Sequence, residues 1–121
     1  MRVCGWRVLG VLALVLVLGA ALPSAAGEVK KFTLINVELD GTKIWLPSSL
    51  IVQEGDEVEL TLDNKLTAPH GFKIAEFGVE VEVPSKRKST VRFTASKAGL
   101  YPFICHLHPP HIGGQILVVK P

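Results

Sequence analysis

Methionine occurs once in the 121 residues, at Met1, and cysteine twice, at Cys4 and Cys105. Charge is sparse and nearly balanced: 20% of the residues are Asp, Glu, Lys or Arg, with 13 basic side chains against 11 acidic ones. Two of the basic residues, Arg2 and Arg7, precede an apolar run at residues 8–22, so the chain beyond that run is neutral. Without an excess of cations to displace phosphate counterions, such a chain is not expected to bind nucleic acid. Internal repeats, low-complexity tracts and Gly/Ser linkers are also missing, so residues 27–121 read as one domain. In that segment no window of about ten residues carries an apolar stripe of helical period, which argues against long amphipathic helices. What the sequence does have is 11 glycines and 8 prolines, a number that suits a turn-rich globular domain.

The first 26 residues form a separate unit. Arg2 and Arg7 make a positive start, residues 8–22 an apolar core, and Ser24-Ala25-Ala26 a small-residue cleavage site. Fifteen residues at helical rise span about 22 Å, short of a hydrocarbon layer of roughly 30 Å. The expectation is a signal peptide at 1–26, cut after Ala26, with no stable membrane span afterwards. A periplasmic or secreted domain at 27–121 follows.

Export changes the meaning of the cysteines. Cys4 leaves with the leader, and Cys105 stands alone in a compartment where paired thiols oxidise. One cysteine cannot staple its own domain. Removal of Met1 likewise leaves no thioether to offer a metal.

Short runs rich in Val, Ile, Leu, Phe and Thr recur at 31–39, 43–45, 49–52, 57–63, 71–74, 79–83, 89–94, 100–105 and 115–119. Turn signals separate them, including Asp40-Gly41, Glu54-Gly55-Asp56, Pro84-Ser85 and Ala98-Gly99. Val58, Leu60 and Leu62 alternate with Glu57, Glu59, Thr61 and Asp63, and Val91 and Phe93 with Thr90, Arg92 and Thr94. A period of two means strands with one wet face, and so many short strands predict an all-β antiparallel sandwich or barrel. Lys86-Arg87-Lys88 reads as a solvated hairpin tip, and Trp45 and Tyr101 as core aromatics.

The residues with metal-binding chemistry fall in two places: His70, and the run Cys105-His106-Leu107-His108-Pro109-Pro110-His111. A thiolate beside several imidazoles is a soft-to-borderline donor set, suited to copper or zinc and poor for magnesium or calcium. Cys105 and His108 are three apart at a strand end, where a turn closed by Pro109 and Pro110 bends both toward one ion. His111 comes round to the same centre. His106 directly follows Cys105, points the other way on an extended chain, and reads as a surface histidine. His70, taken by itself, reads as a satisfied histidine at a strand start before it reads as a ligand.

The run from Trp45 to Val58, then Asn64, Pro69-His70, Phe93-Thr94-Ala95, the stretch from Ala98 to Cys105, His108-Pro109 and Gly113 together resemble a cupredoxin. That resemblance covers nearly all of residues 27–121. It implies a Greek-key antiparallel β-sandwich holding one copper ion per chain, with His70, Cys105 and His108 as equatorial ligands. Where short-loop members such as amicyanin place a weak axial methionine, this sequence has His111. The Gly-Phe pair after His70 and the Cys-x-x-His-Pro turn followed by another histidine resemble nitrosocyanin, whose first ligand is instead a glutamate. The implied site is a hybrid, with His111 as a stronger axial donor than a thioether. The implied role is a one-electron carrier docking a redox partner, a cytochrome or copper enzyme, through an apolar rim of Pro109, Pro110 and Ile112. Two other readings are a centre that binds a small molecule such as nitric oxide and a copper storage or delivery protein. Glu76, Glu80 and Glu82 read as solvent-facing, which leaves no acid or base beside the site.

Overall fold

The computed structural model describes residues 19–20, 29–108 and 111–121. Apart from Gly19 and Ala20, the expected leader lies outside the described residues, as do Pro109 and Pro110. All nine runs form strands: β1 (Val29–Leu39), β2 (Thr42–Leu46), β3 (Ser49–Gln53), β4 (Glu57–Asn64), β5 (His70–Ile74), β6 (Val79–Val83), β7 (Lys88–Thr94), β8 (Gly99–Phe103) and β9 (Gly114–Val119). A single 3₁₀ turn at Ala75–Phe77 joins β5 to β6 and carries the exposed Glu76.

The strands make a sandwich. One sheet has the order β2-β1-β4-β7, the other β3-β9-β8, and β5-β6 is a hairpin. Reciprocal backbone bonds between Lys73 and Ile104 join that hairpin to the second sheet. The sheets are mixed, because β1 with β4 and β3 with β9 run parallel. The reason is topological: β3 crosses to the opposite sheet between β2 and β4, so β4 returns beside β1 in the same direction. β8 is shorter than the run at 100–105, since Ile104 leaves the β9 ladder for Lys73 and Cys105 falls beyond it.

Alternation explains the layers. Val58, Leu60 and Leu62 of β4 are fully buried, while Glu57 and Glu59 face outward, where both carboxylates meet the Arg92 guanidinium of β7. The core runs from Leu34 and Trp45 through Phe72 to Phe103 and Ile116. Trp45 meets Phe72 edge-on at 5.9 Å, and Phe72 leans on Phe103 at 5.0 Å. Tyr101 is half-buried, edge-on to Phe77, and its hydroxyl donates to the Lys97 carbonyl at 2.8 Å. Lys86, Arg87 and Lys88 are exposed, as a solvated tip requires. The β1–β2 hairpin turns through Asp40 and Gly41, both at positive φ (49° and 78°), the conformation that a two-residue turn between twisted strands demands and that Asp-Gly tolerates. That turn lies at the end of the sandwich where the histidines gather.

Candidate metal centre

Three segments supply the donors. His70 is the first residue of β5, Cys105 follows the Ile104 bridge, and His108 and His111 lie on the loop between β8 and β9. The pairing of Lys73 with Ile104 draws the start of β5 beside the end of β8, which is what closes the 35-residue gap between His70 and Cys105. The loop is held from the other sheet, where Ile112 N–H donates to the Lys43 carbonyl at 2.9 Å.

The Cys105 Sγ lies 3.8 Å from His70 Nδ1 and 3.8 Å from His108 Nδ1. Metal–thiolate and metal–imidazole bonds of roughly 2.3 and 2.1 Å, opened to a trigonal angle of about 120°, separate sulfur and nitrogen by about 3.8 Å. Both spacings fit a shared ion. The His70 and His108 rings are 4.5 Å apart, and the His70 and His111 rings 5.4 Å. One donor atom each from His70, Cys105 and His111 lie within 4.8 Å of one another, and all three residues are buried. His70, Cys105 and His111 thus form one group, His108 stands outside it but beside Cys105 and the His70 ring, and these donors suit a thiophilic metal.

Burial prepares these groups. His70 is fully buried and its pKa is lowered to about 4, first by desolvation and then by the charges of His108, His111 and Lys43. The pKa of His111 is lowered too, chiefly by desolvation. Both rings are thus neutral near pH 7 and keep a lone pair for a metal. His70 is not the satisfied histidine of a strand start, because its buried Nε2 has no hydrogen-bond partner. The sulfur accepts a bond from the Gly71 N–H at 3.2 Å, which fixes its position beside the start of β5.

His111 is a buried side chain, not a loop-tip histidine. Its Nε2 faces Asn36 Oδ1 at 2.7 Å and its Nδ1 faces the Ile112 carbonyl at 3.0 Å. A neutral imidazole has one N–H, so it satisfies one of these acceptors while the lone pair of its other nitrogen faces the second oxygen. Asn36 is itself fully buried, and its Nδ2 donates to Asn64 Oδ1 at 3.3 Å. Sequence reasoning missed Asn36. A signal existed: it shares a strand face with Leu34, and a polar residue on an inward face needs a partner.

His106 requires a correction. It lies outside the donor group, as its position next to Cys105 implies, but it is not a surface residue, since only 20% of its side chain is exposed. Its ring packs over Gly71, where an added Cβ would come within 2.5 Å of Nδ1, and its Nε2 stands 3.7 Å from Glu80 Oε1. Gly71 also accepts the Trp45 indole N–H on its carbonyl at 3.1 Å. Glu80 and Glu82 are exposed, and neither joins the group. Ile112 of the expected rim is 48% exposed, with Ile104 and Leu107 exposed nearby in sequence.

The family model for the cupredoxin-like domain matches residues 10–118. The chain belongs to the cupredoxin-like family. A stretch of 76 residues, 57% of this chain, is 33% identical to the nitrous-oxide reductase of Pseudomonas fluorescens and covers 12% of that protein. A stretch of 57 residues, 45% of this chain, is 35% identical to the nitrous-oxide reductase of Stutzerimonas stutzeri and covers 9% of it. The chain thus spans about a tenth of the length of the curated relatives it matches. Family and donor cluster together point to a bound metal. Among the described residues no helix is long and apolar enough to cross a membrane.

In the metal-free cupredoxin the depressed imidazole pKa values fix the sign of a pH effect. The unfolded chain takes up protons on these histidines below about pH 6.5, while folded His70 resists until about pH 4. More protons bound in the unfolded state means that stability falls as pH drops across that window. Urea unfolding of metal-free protein at pH 7, 5.5 and 4.5 is expected to show a falling midpoint, with a shallower fall in His70→Gln. Equal slopes in both proteins would contradict the burial argument.

Proposed function

We propose that this chain is an exported cupredoxin that holds one copper ion on His70, Cys105, His108 and His111 and carries single electrons between partner proteins. The observation that carries the reading is the pair of 3.8 Å distances from the Cys105 sulfur to the two Nδ1 atoms. When bound, copper supplies a one-electron cycle between Cu(I) and Cu(II). Export rests on the leader at 1–26, and the redox role draws support from relatives named as reductases.

The residues of the chain explain why such a cycle could be fast. His70, Cys105 and His111 are buried, so little water has to reorganise when the charge changes. His70 is held by the β5–β6 pairing and Cys105 by the bond from Gly71, so the donors keep one arrangement in both redox states. His111 is anchored by Asn36 from the opposite sheet, and an imidazole in place of a thioether favours Cu(II) and lowers the potential. The exposed Ile104, Leu107 and Ile112 offer a small apolar surface for brief docking, and a small buried area lets the partner leave quickly.

The test compares absorption and EPR spectra of copper-loaded wild type and His111→Met, with voltammetry on both. An intense thiolate-to-copper band and a reversible one-electron wave are expected in wild type. The variant is expected to move toward a blue site with narrower copper hyperfine coupling and a higher potential. Absence of a reversible wave in wild type defeats the carrier role, and unchanged spectra in the variant remove His111 from the ligand set.

A further inference from the structure

One flank of the centre opens into a cleft lined by Gly41, Lys43, His108 and His111. Its volume of about 80 Å³ holds a few waters, so an ion of three or four heavy atoms fits, and a nucleotide or sugar does not. The β1–β2 turn forms one wall, because Asp40 and Gly41 bend the hairpin tightly at this end of the sandwich.

The position of Lys43 follows from strand period. It lies two residues before the fully buried Trp45, so both point to the same face of β2, toward the layer that contains His111. The Trp45 and His111 rings are 6.3 Å apart, and the Lys43 carbonyl holds the His111 loop through Ile112. Lys43 is half-buried, and no carboxylate among the described residues lies within ion-pair distance of its ammonium. Its cross-strand neighbour Glu38 is exposed and forms no ion pair with it.

Lys43, on the inward face of β2 and without a carboxylate in ion-pair contact, puts a positive charge on one wall of a cleft lined by imidazoles, and an anion there would complete the site. We propose that this cleft binds a small monovalent inorganic anion, held by the Lys43 ammonium against the edges of the His108 and His111 rings. This inference rests on the copper reading, because the metal ion adds the charge that makes the flank strongly attractive to an anion. A centre of this kind answers to the ionic composition around it: an occupied cleft changes the field at the thiolate, while an empty one leaves the flank to water.

The probe is azide, titrated into the copper(II)-loaded full chain at constant pH and ionic strength, with the thiolate band and the EPR spectrum followed. Wild type is expected to respond saturably. Lys43→Gln is expected to weaken azide binding about tenfold, the usual worth of one charge-assisted contact. Glu38→Gln, which removes the carboxylate of the residue paired with Lys43 across the strands, is expected to tighten it. Lys97→Gln makes the same change in net charge on an exposed segment and is expected to leave the affinity within about twofold of wild type. No saturable response, or an equal affinity in wild type and Lys43→Gln, overturns the anion site while an intact thiolate band keeps the copper reading. Equal weakening in Lys43→Gln and Lys97→Gln also overturns it, because bulk charge then explains the effect. If copper produces no thiolate band in wild type, both proposals fall together.

Discussion

Cys105→Ser is expected to abolish the visible absorption of the copper-loaded protein and to weaken Cu(I) binding by at least tenfold. Cys105 is the one cysteine among the described residues, and its sulfur is the atom that the Nδ1 nitrogens of His70 and His108 face at 3.8 Å. A serine hydroxyl is a hard donor that stays protonated near neutral pH, so it provides neither the covalency of a thiolate nor the softness that Cu(I) selects. The substitution exchanges atoms of similar size in a buried position, so the metal-free fold is expected to survive with a loss of about 1–2 kcal/mol. Absorption spectra and competition with a Cu(I) chelator measure the two effects. A visible band that persists in the serine variant would place the sulfur outside the coordination shell.

A second large effect is expected at a residue that offers no donor to the centre. Asn64 is fully buried at the end of β4, and its side chain forms more hydrogen bonds than its size suggests. Its Nδ2 donates toward the carbonyls of Ala68, Val83 and Pro84 at 2.8, 3.1 and 3.3 Å. Its Oδ1 accepts from the Leu66 N–H at 3.0 Å and from Asn36 Nδ2 at 3.3 Å. Together these bonds shape the loop that delivers His70 and fix the side chain that faces His111. Asn64→Leu keeps the volume and removes every partner, which strands several buried polar groups at roughly 1–3 kcal/mol each. A loss of about 3–5 kcal/mol is expected from urea unfolding of the metal-free protein, against less than about 0.5 kcal/mol for the exposed Lys97→Ala. A loss near 1 kcal/mol would mean that water replaces the network and that the His70 loop is shaped by its own sequence.

The two variants mark different depths of legibility. Cys105 could be read as a candidate metal donor from one dimension, since a thiol within six residues of three histidines already has a metal-site composition. Asn64 could be noticed only as a landmark shared with a family, and nothing in its neighbours announced the bonds it makes. Asn36 passed unnoticed although its place on the Leu34 face was visible, because a polar residue inside an apolar alternation can also mark a strand edge or a bulge. His106 was taken for a surface residue on the argument that neighbours in an extended chain point to opposite sides. That argument fixes direction but not exposure, and the missing side chain of Gly71 is what lets the ring pack inward.

Strand identity was a local matter. Each run of alternating Val, Leu, Phe and Thr needs only its own residues and the next turn to become a strand, so all nine were written into the chain. Which strands pair is a long-range matter. The parallel contacts of β1 with β4 and β3 with β9 depend on a crossover between sheets, and a strand's period of two is the same whichever neighbour it finds. The meeting of His70 with Cys105, the grip of Asn36 on His111 across 75 residues and the Lys43 wall of the cleft all follow from that pairing. Donor chemistry is a property of side chains and can be read from composition; convergence is a property of register, and only the folded chain contains it.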